Sequence, residues 1–74
     1  MTLSSLKSGE RVKVVNILGG RGVRQHLNKL GIHIGDTLVI IHCIPFRGPI
    51  VVEIHGIKVA LGRGISLKIE VEKI

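Results

Sequence analysis

The feature that most constrains this chain is its string of short β-branched runs, each stopped by glycine or proline. "RVKVVNI" runs into "LGG", "TLVIIHCI" into Pro45, "PIVVEIH" into Gly56 and "IKVAL" into Gly62. Val and Ile suit a pleated, half-buried surface, and runs this short do not reach the length of an ordinary packed helix. The chain has one Phe and neither Trp nor Tyr among its 74 residues, so Val, Ile and Leu must build the core. A chain of this size buries only about 60% of the surface it exposes when unfolded. That leaves a small core and no room for a deep substrate cavity.

Read along its length, the chain forms one domain, residues 1–74, with no linker and no repeat. "LSSLKSGE" reads as a short N-terminal helical turn, with Ser4 a candidate cap and Gly9 the exit. In "RVKVVNI" Val12 and Val14 share a face, and the parity then slips to Val15 and Ile17, which predicts a bulge or burial on both sides. From Arg21 to Leu30 the period turns helical. Val23, Leu27 and Leu30 share one face, and Gly31 stands where a left-handed cap ends the helix. "IHIGD" is a turn, and "TLVIIHCI" reads as a strand buried on both faces. His55-Gly56 is a hairpin turn, since both residues tolerate positive φ. In the last segment Ile65, Leu67, Ile69 and Val71 point one way, with Ser66, Lys68, Glu70 and Glu72 the other. Antiparallel strands in so small a chain must close, or nearly close, to hide their edges. The expected fold is therefore mainly β: a small SH3-like barrel of about five antiparallel strands with one inserted α-helix.

Charge narrows the partners. Residues 1–35 carry six Lys and Arg against one acid, a net of +5, while residues 36–74 carry five against four, a net of +1. Such asymmetry calls for an acidic partner: a protein, a nucleic acid or an anionic membrane surface. On the helical wheel Arg21, Arg24, Gln25 and Asn28 fall opposite the apolar stripe. Positive charge near a helix N-terminus opposes the macrodipole, so this face is a candidate docking surface. Single-strand nucleic-acid binders stack bases on aromatic rings, and Phe46 alone is available. "KSGERVKVVNILGGRG" is similar to the KOW-type pattern of ribosomal and transcription proteins, but that pattern is mostly a strand between glycine turns. A small basic nucleic-acid-binding barrel is thus the disfavoured alternative. No segment is long enough to span a membrane as a helix, and "MTLSSLKSGE" lacks the pattern of a signal peptide. With the lone Cys43, this suggests a reducing, cytoplasmic setting.

Catalytic chemistry is poorly supplied. No nucleophile is paired with a base, and Glu70 and Glu72 belong to a solvated strand face. No enzyme activity is expected. For metals, His42 and Cys43 are adjacent on a strand and point to opposite faces. His26 and His33 flank the helix end without a third ligand, and no CxxC or HxxxH occurs. No intrachain metal site or cofactor is assigned. His33 and Cys43 are the weak candidates for a transition metal, in a third reading as a metal-linked homodimeric regulator. In "IPFRGPIVVEIHG" Pro45 and Pro49 stop strand pairing and Gly48 lets the chain reverse. Phe46 either plugs the barrel end or stands exposed beside Arg47 as an interface anchor.

The whole chain, from about Leu3 to Glu72, resembles FeoA, the small ferrous iron transport protein A of bacteria. "LSSLKSGERVKVVNI" is similar to the family's lead-in and first strand, and "RQHLNKLGIHIGD" to its helix, glycine cap and second glycine turn. "IPFRGPIVVEIHG" resembles its proline-glycine-proline signature, and "IKVALGRGISLKIEV" its closing strands. Departures are Ile34 in place of a common proline, Ile44 and Phe46 around Pro45, and the unusual "GRGIS". The resemblance implies an SH3-like fold and a cytoplasmic, non-catalytic accessory role. It implies docking on the cytoplasmic, GTPase-containing part of the FeoB membrane transporter, peripheral to the inner membrane. Expected partner-binding residues are Arg21, Arg24, Gln25, Asn28, Phe46 and Arg47.

Overall fold

A computed structural model describes residues 1–43 and 48–74, with Cys43 described by its backbone alone. A 3-10 turn (Leu3–Ser5) leads into β1 (Arg11–Ile17), α1 (Gly20–Lys29), β2 (Thr37–Cys43), β3 (Ile50–Ile54), β4 (Ile57–Leu61), the helical turn α2 (Arg63–Ser66) and β5 (Ile69–Lys73). The five strands form one antiparallel sheet in the order β4-β3-β2-β1-β5. The mainly β, SH3-like architecture expected from the sequence is the one adopted.

Every strand sends side chains into one cluster. Val12, Val14 and Ile17 come from β1, Leu38 and Ile40 from β2, Ile50, Val52 and Ile54 from β3, Leu61 from β4, and Ile69 and Val71 from β5. Leu3, Leu6, Leu27 and Ile32 complete it. A flat sheet cannot converge on one cluster from five strands, so the strands must bend. Two irregularities supply the bend. The β1–β5 register shifts between Val14 and Asn16, and the β2–β3 register between Ile40 and His42. An extra residue on one strand kinks it and increases its twist. The slip of parity in "RVKVVNI" is this bulge. Val15 nonetheless points outward and is exposed, whereas Ile17 returns to the core. Asn16 anchors the irregularity: its Oδ1 accepts the Ile17 N–H at 2.9 Å and its Nδ2 donates to Glu70 Oε1 at 3.1 Å. In β2, Leu38 and Ile40 are buried, but Val39 and Ile41 are only half-buried. The expectation of burial on both faces holds for one face.

The helix ends as its sequence predicts. Gly31 takes φ +87°, its N–H donates to Asn28 O at 3.0 Å, and the Ile32 N–H donates to Leu27 O at 2.9 Å. This pair of bonds defines a Schellman motif, and its apolar contact joins Leu27 and Ile32, both fully buried. Leu30 departs from the expected stripe. It caps the helix and stays at the surface, because the reversal at Gly31 hands its core position to Ile32. His55 (φ 52°) and Gly56 (φ 79°) make the two-residue hairpin turn between Ile54 and Ile57, both in the positive-φ geometry such turns favour. At the N-terminus the cap is Thr2 rather than Ser4, and its hydroxyl lies 2.9 Å from that of Ser4.

The clearest departure is residues 63–67. Alternation placed Ile65 and Leu67 inside and Ser66 outside, and of these only Ile65 keeps its place, packed against the core. The chain instead makes a helical turn, with the Ser66 N–H on Gly62 O and the Leu67 N–H on Arg63 O. Ser66 is fully buried, its hydroxyl proton shared between Gly62 O (3.1 Å) and Arg63 O (2.9 Å), and Leu67 is exposed. The reason is topological. β4 and β5 are opposite edges of the sheet, so the segment joining them must cross from edge to edge and cannot extend either strand.

Candidate functional site

The outward face of α1 is built by the same periodicity that buries Leu27. Val23 packs against the core margin. Arg21, Arg24, Gln25 and Asn28 are all exposed, together with His26 and Lys29. The helix contains no acid, and its N-cap, Gly19, offers no side-chain hydrogen bond to the first turn. Among the described residues no ion pair involves Arg21 or Arg24; Lys73 pairs with Glu10 (3.0 Å), and the His33 and His55 imidazoles lie 3.4 and 3.6 Å from the Asp36 carboxylate. Arg21 thus stands near the positive end of a helix dipole, and among the described residues neither it nor Arg24 has a counter-charge. Asn28 has a local task as well. With its amide turned to satisfy both atoms, Nδ2 donates to Ile32 O at 3.0 Å and Arg24 O at 3.3 Å, which helps close the helix end.

Two neighbours of this face escaped the sequence reading. The Leu18 N–H donates to Lys68 O at 2.7 Å, which continues the β1–β5 pairing past Ile17↔Ile69. A Cβ on Gly19 would stand 2.8 Å from Lys68 Cδ and 3.3 Å from Lys68 Nζ. Lys68 therefore lies over the helix entry, and Leu18 and Leu67 are exposed next to it. Strand alternation had set Lys68 on a remote solvated face and Leu67 in the core. The doublet Gly62/Gly64 was the signal that the strand breaks here.

Phe46 and Arg47, the other expected docking residues, lie outside the described residues, as does the Cys43 side chain. His33 is engaged with its own turn: its N–H donates to Asp36 Oδ2 at 2.7 Å, and the His55 imidazole approaches the other carboxylate oxygen. Asp36 thereby links the α1–β2 turn to the β3–β4 hairpin. Among the described residues no three His, Cys, Asp or Glu side chains are placed to hold a metal ion, and no pocket is formed. No helix among them is long and apolar enough to cross a membrane. The Glu10 carboxylate is held below the usual carboxylate range. The Lys7 N–H donates to its Oε2 at 2.8 Å, and the Lys73 ammonium adds a second stabilising contact.

The family model of the FeoA domain matches residues 1–73. A protein assigned as Fe(2+) transport protein A in Methanocaldococcus jannaschii is 40% identical over 70 residues, covering 95% of this chain and 83% of its own. An "Fe(2+) transport protein A/Fe(2+) transporter FeoB fusion protein" of Porphyromonas gingivalis is 37% identical across 100% of this chain, which spans 9% of that protein. Among solved structures, an iron uptake regulatory protein (FeoA) superposes with a TM-score of 0.91 at 34% identity, covering 100% of this chain and 96% of its own.

Proposed function

The chain belongs to the FeoA family, and from that premise we propose that it is an accessory protein of ferrous iron uptake. In this reading it is a non-catalytic interaction module. It docks on the cytoplasmic, GTPase-containing part of the FeoB transporter and modulates it, and so works in the cytoplasm, peripheral to the inner membrane through its partner. The observation that carries the reading is the fusion relative, which aligns with the full length of this chain and joins the two named proteins in one polypeptide. Covalent linkage of two modules raises their effective concentration, and it is useful where the modules engage each other. The uncompensated cations of α1 supply a surface suited to an acidic partner.

The docking residues in this proposal are Arg21, Arg24, Gln25 and Asn28, together with Phe46 and Arg47. The reading calls for no cofactor. Titration of the purified chain against the detergent-solubilised transporter is the test. Saturable binding that Arg21→Glu with Arg24→Glu abolishes, and that Phe46→Ala weakens, is expected. Undiminished binding by folded variants would refute the surface, and no binding by the wild-type chain would refute the function.

A further inference from the structure

We propose that the docking surface is centred on an apolar pair, Leu18 and Leu67, ringed by Arg21, Arg24 and Lys68, and that it takes an acidic protein surface presenting an apolar side chain. This inference rests on the docking function proposed above and specifies the chemistry of its contact. Leu18 is 40% exposed and Leu67 52% exposed, and both are large side chains with no core role. Leu18 pairs through its backbone with Lys68, and Leu67 is the residue just before it in the chain. Lys68 then reaches over Gly19 to the start of α1, one residue from Gly20 and two from Arg21. Arg24 stands one turn further along the exposed face.

Charge decides the occupant. The three cations have no ion pair among the described residues, while Glu10 and Asp36 are committed elsewhere. Two copies of this chain meeting at this surface through a two-fold axis would set Arg21, Arg24 and Lys68 against their own like charges, which disfavours self-association here. A nucleic-acid backbone would satisfy the cations but leave two leucines facing phosphate and sugar. An interface with a dry apolar centre and a charged rim fits both sets of residues. Charged rims chiefly govern the association rate and its salt dependence, whereas apolar anchors govern the lifetime of the complex.

The experiment follows binding of the full chain to the detergent-solubilised transporter by biolayer interferometry. Leu18→Asn and Leu67→Asn are each expected to weaken binding by about tenfold, mainly through faster dissociation. Lys68→Glu is expected to slow association, and the wild-type rate to fall as salt rises from about 0.05 to 0.5 M. Ile74→Asn, an exposed apolar residue on the C-terminal end, serves as the control that leaves binding unchanged. Amide NMR spectra verify that each variant is folded. If folded Leu18 and Leu67 variants bind like wild type while Arg21→Glu loses binding, the apolar centre is wrong and the docking function stands. If the wild-type chain does not bind the transporter at all, both fall. Concentration-dependent dimers that these two leucine variants abolish, or salt-sensitive retention of a single-stranded RNA oligonucleotide that they leave intact, would assign the surface to another occupant and overturn the proposal.

Discussion

Glu10 ties two stretches of chain together at one carboxylate. Its Oε2 accepts the Lys7 N–H, its own N–H reaches back to Lys7 O, and its Oε1 meets Lys73 from β5. Hydrogen bonding to the ionised form, then the nearby ammonium, hold its pKa below the usual range. A carboxylate lowered in this way adds stability that is complete above its unfolded pKa and is lost as pH falls through the folded value. Glu10→Gln is therefore expected to lower the Tm at neutral pH, with the difference vanishing in acid; thermal melts across that range check it. A difference that grows toward low pH would contradict the assignment. Gly31 offers a second test at this scale. A side chain there has open space but must hold φ +87°, so Gly31→Ala should destabilise by about 1 kcal/mol in urea unfolding. Leu27→Ala removes a fully buried side chain and is expected to cost about 2–5 kcal/mol, a large share of a small protein's stability.

At the scale of elements, α1 carries a conflict between local stability and the proposed contact. Its last turn holds Lys29 and His26, which suit the negative end of the dipole, but its first turns hold Arg21 and Arg24 without any acid. Replacing Arg21, in the first turn, by Glu should stabilise the free protein by about 0.3–1 kcal/mol at low salt, less when screened, while weakening docking. Opposite signs in urea unfolding and in transporter binding are the expected outcome. A variant that loses stability and binding together would mark Arg21 as structural. The sheet edges are treated unequally. The N-terminal segment covers β5, with the Val71 N–H on Met1 O at 2.9 Å and Thr2 bridged to Glu70. β4 is a short edge strand carrying Lys58, a placement that discourages edge-to-edge pairing.

For the molecule as a whole, the N-terminal turn is part of the core rather than a tail. Removing residues 1–6 would strip Leu3 and Leu6 from the cluster and uncover β5 at once. Loss of cooperative unfolding, with concentration-dependent association in sedimentation, is expected of that truncation. Monomeric, cooperative unfolding of the shortened chain would show that the rest of the sheet suffices.

What the sequence determined by itself was whatever depends on neighbours a few residues apart. The strand content, the bulge after Val14, the helix with its Gly31 cap and the His55-Gly56 turn follow from local periodicity and from residues that tolerate positive φ. The basic face of α1 is legible for the same reason, since a helix converts spacing directly into direction. The tertiary structure decided where the chain crosses from β4 to β5. That crossing makes residues 63–66 a helical turn, buries Ser66 and turns Leu67 outward, against an alternation that looked unbroken. It also brought Lys68 over Gly19 and beside Leu18, a meeting of residues some fifty positions apart. Sheet order sets such contacts, and sheet order is a property of long-range pairing that no local pattern encodes.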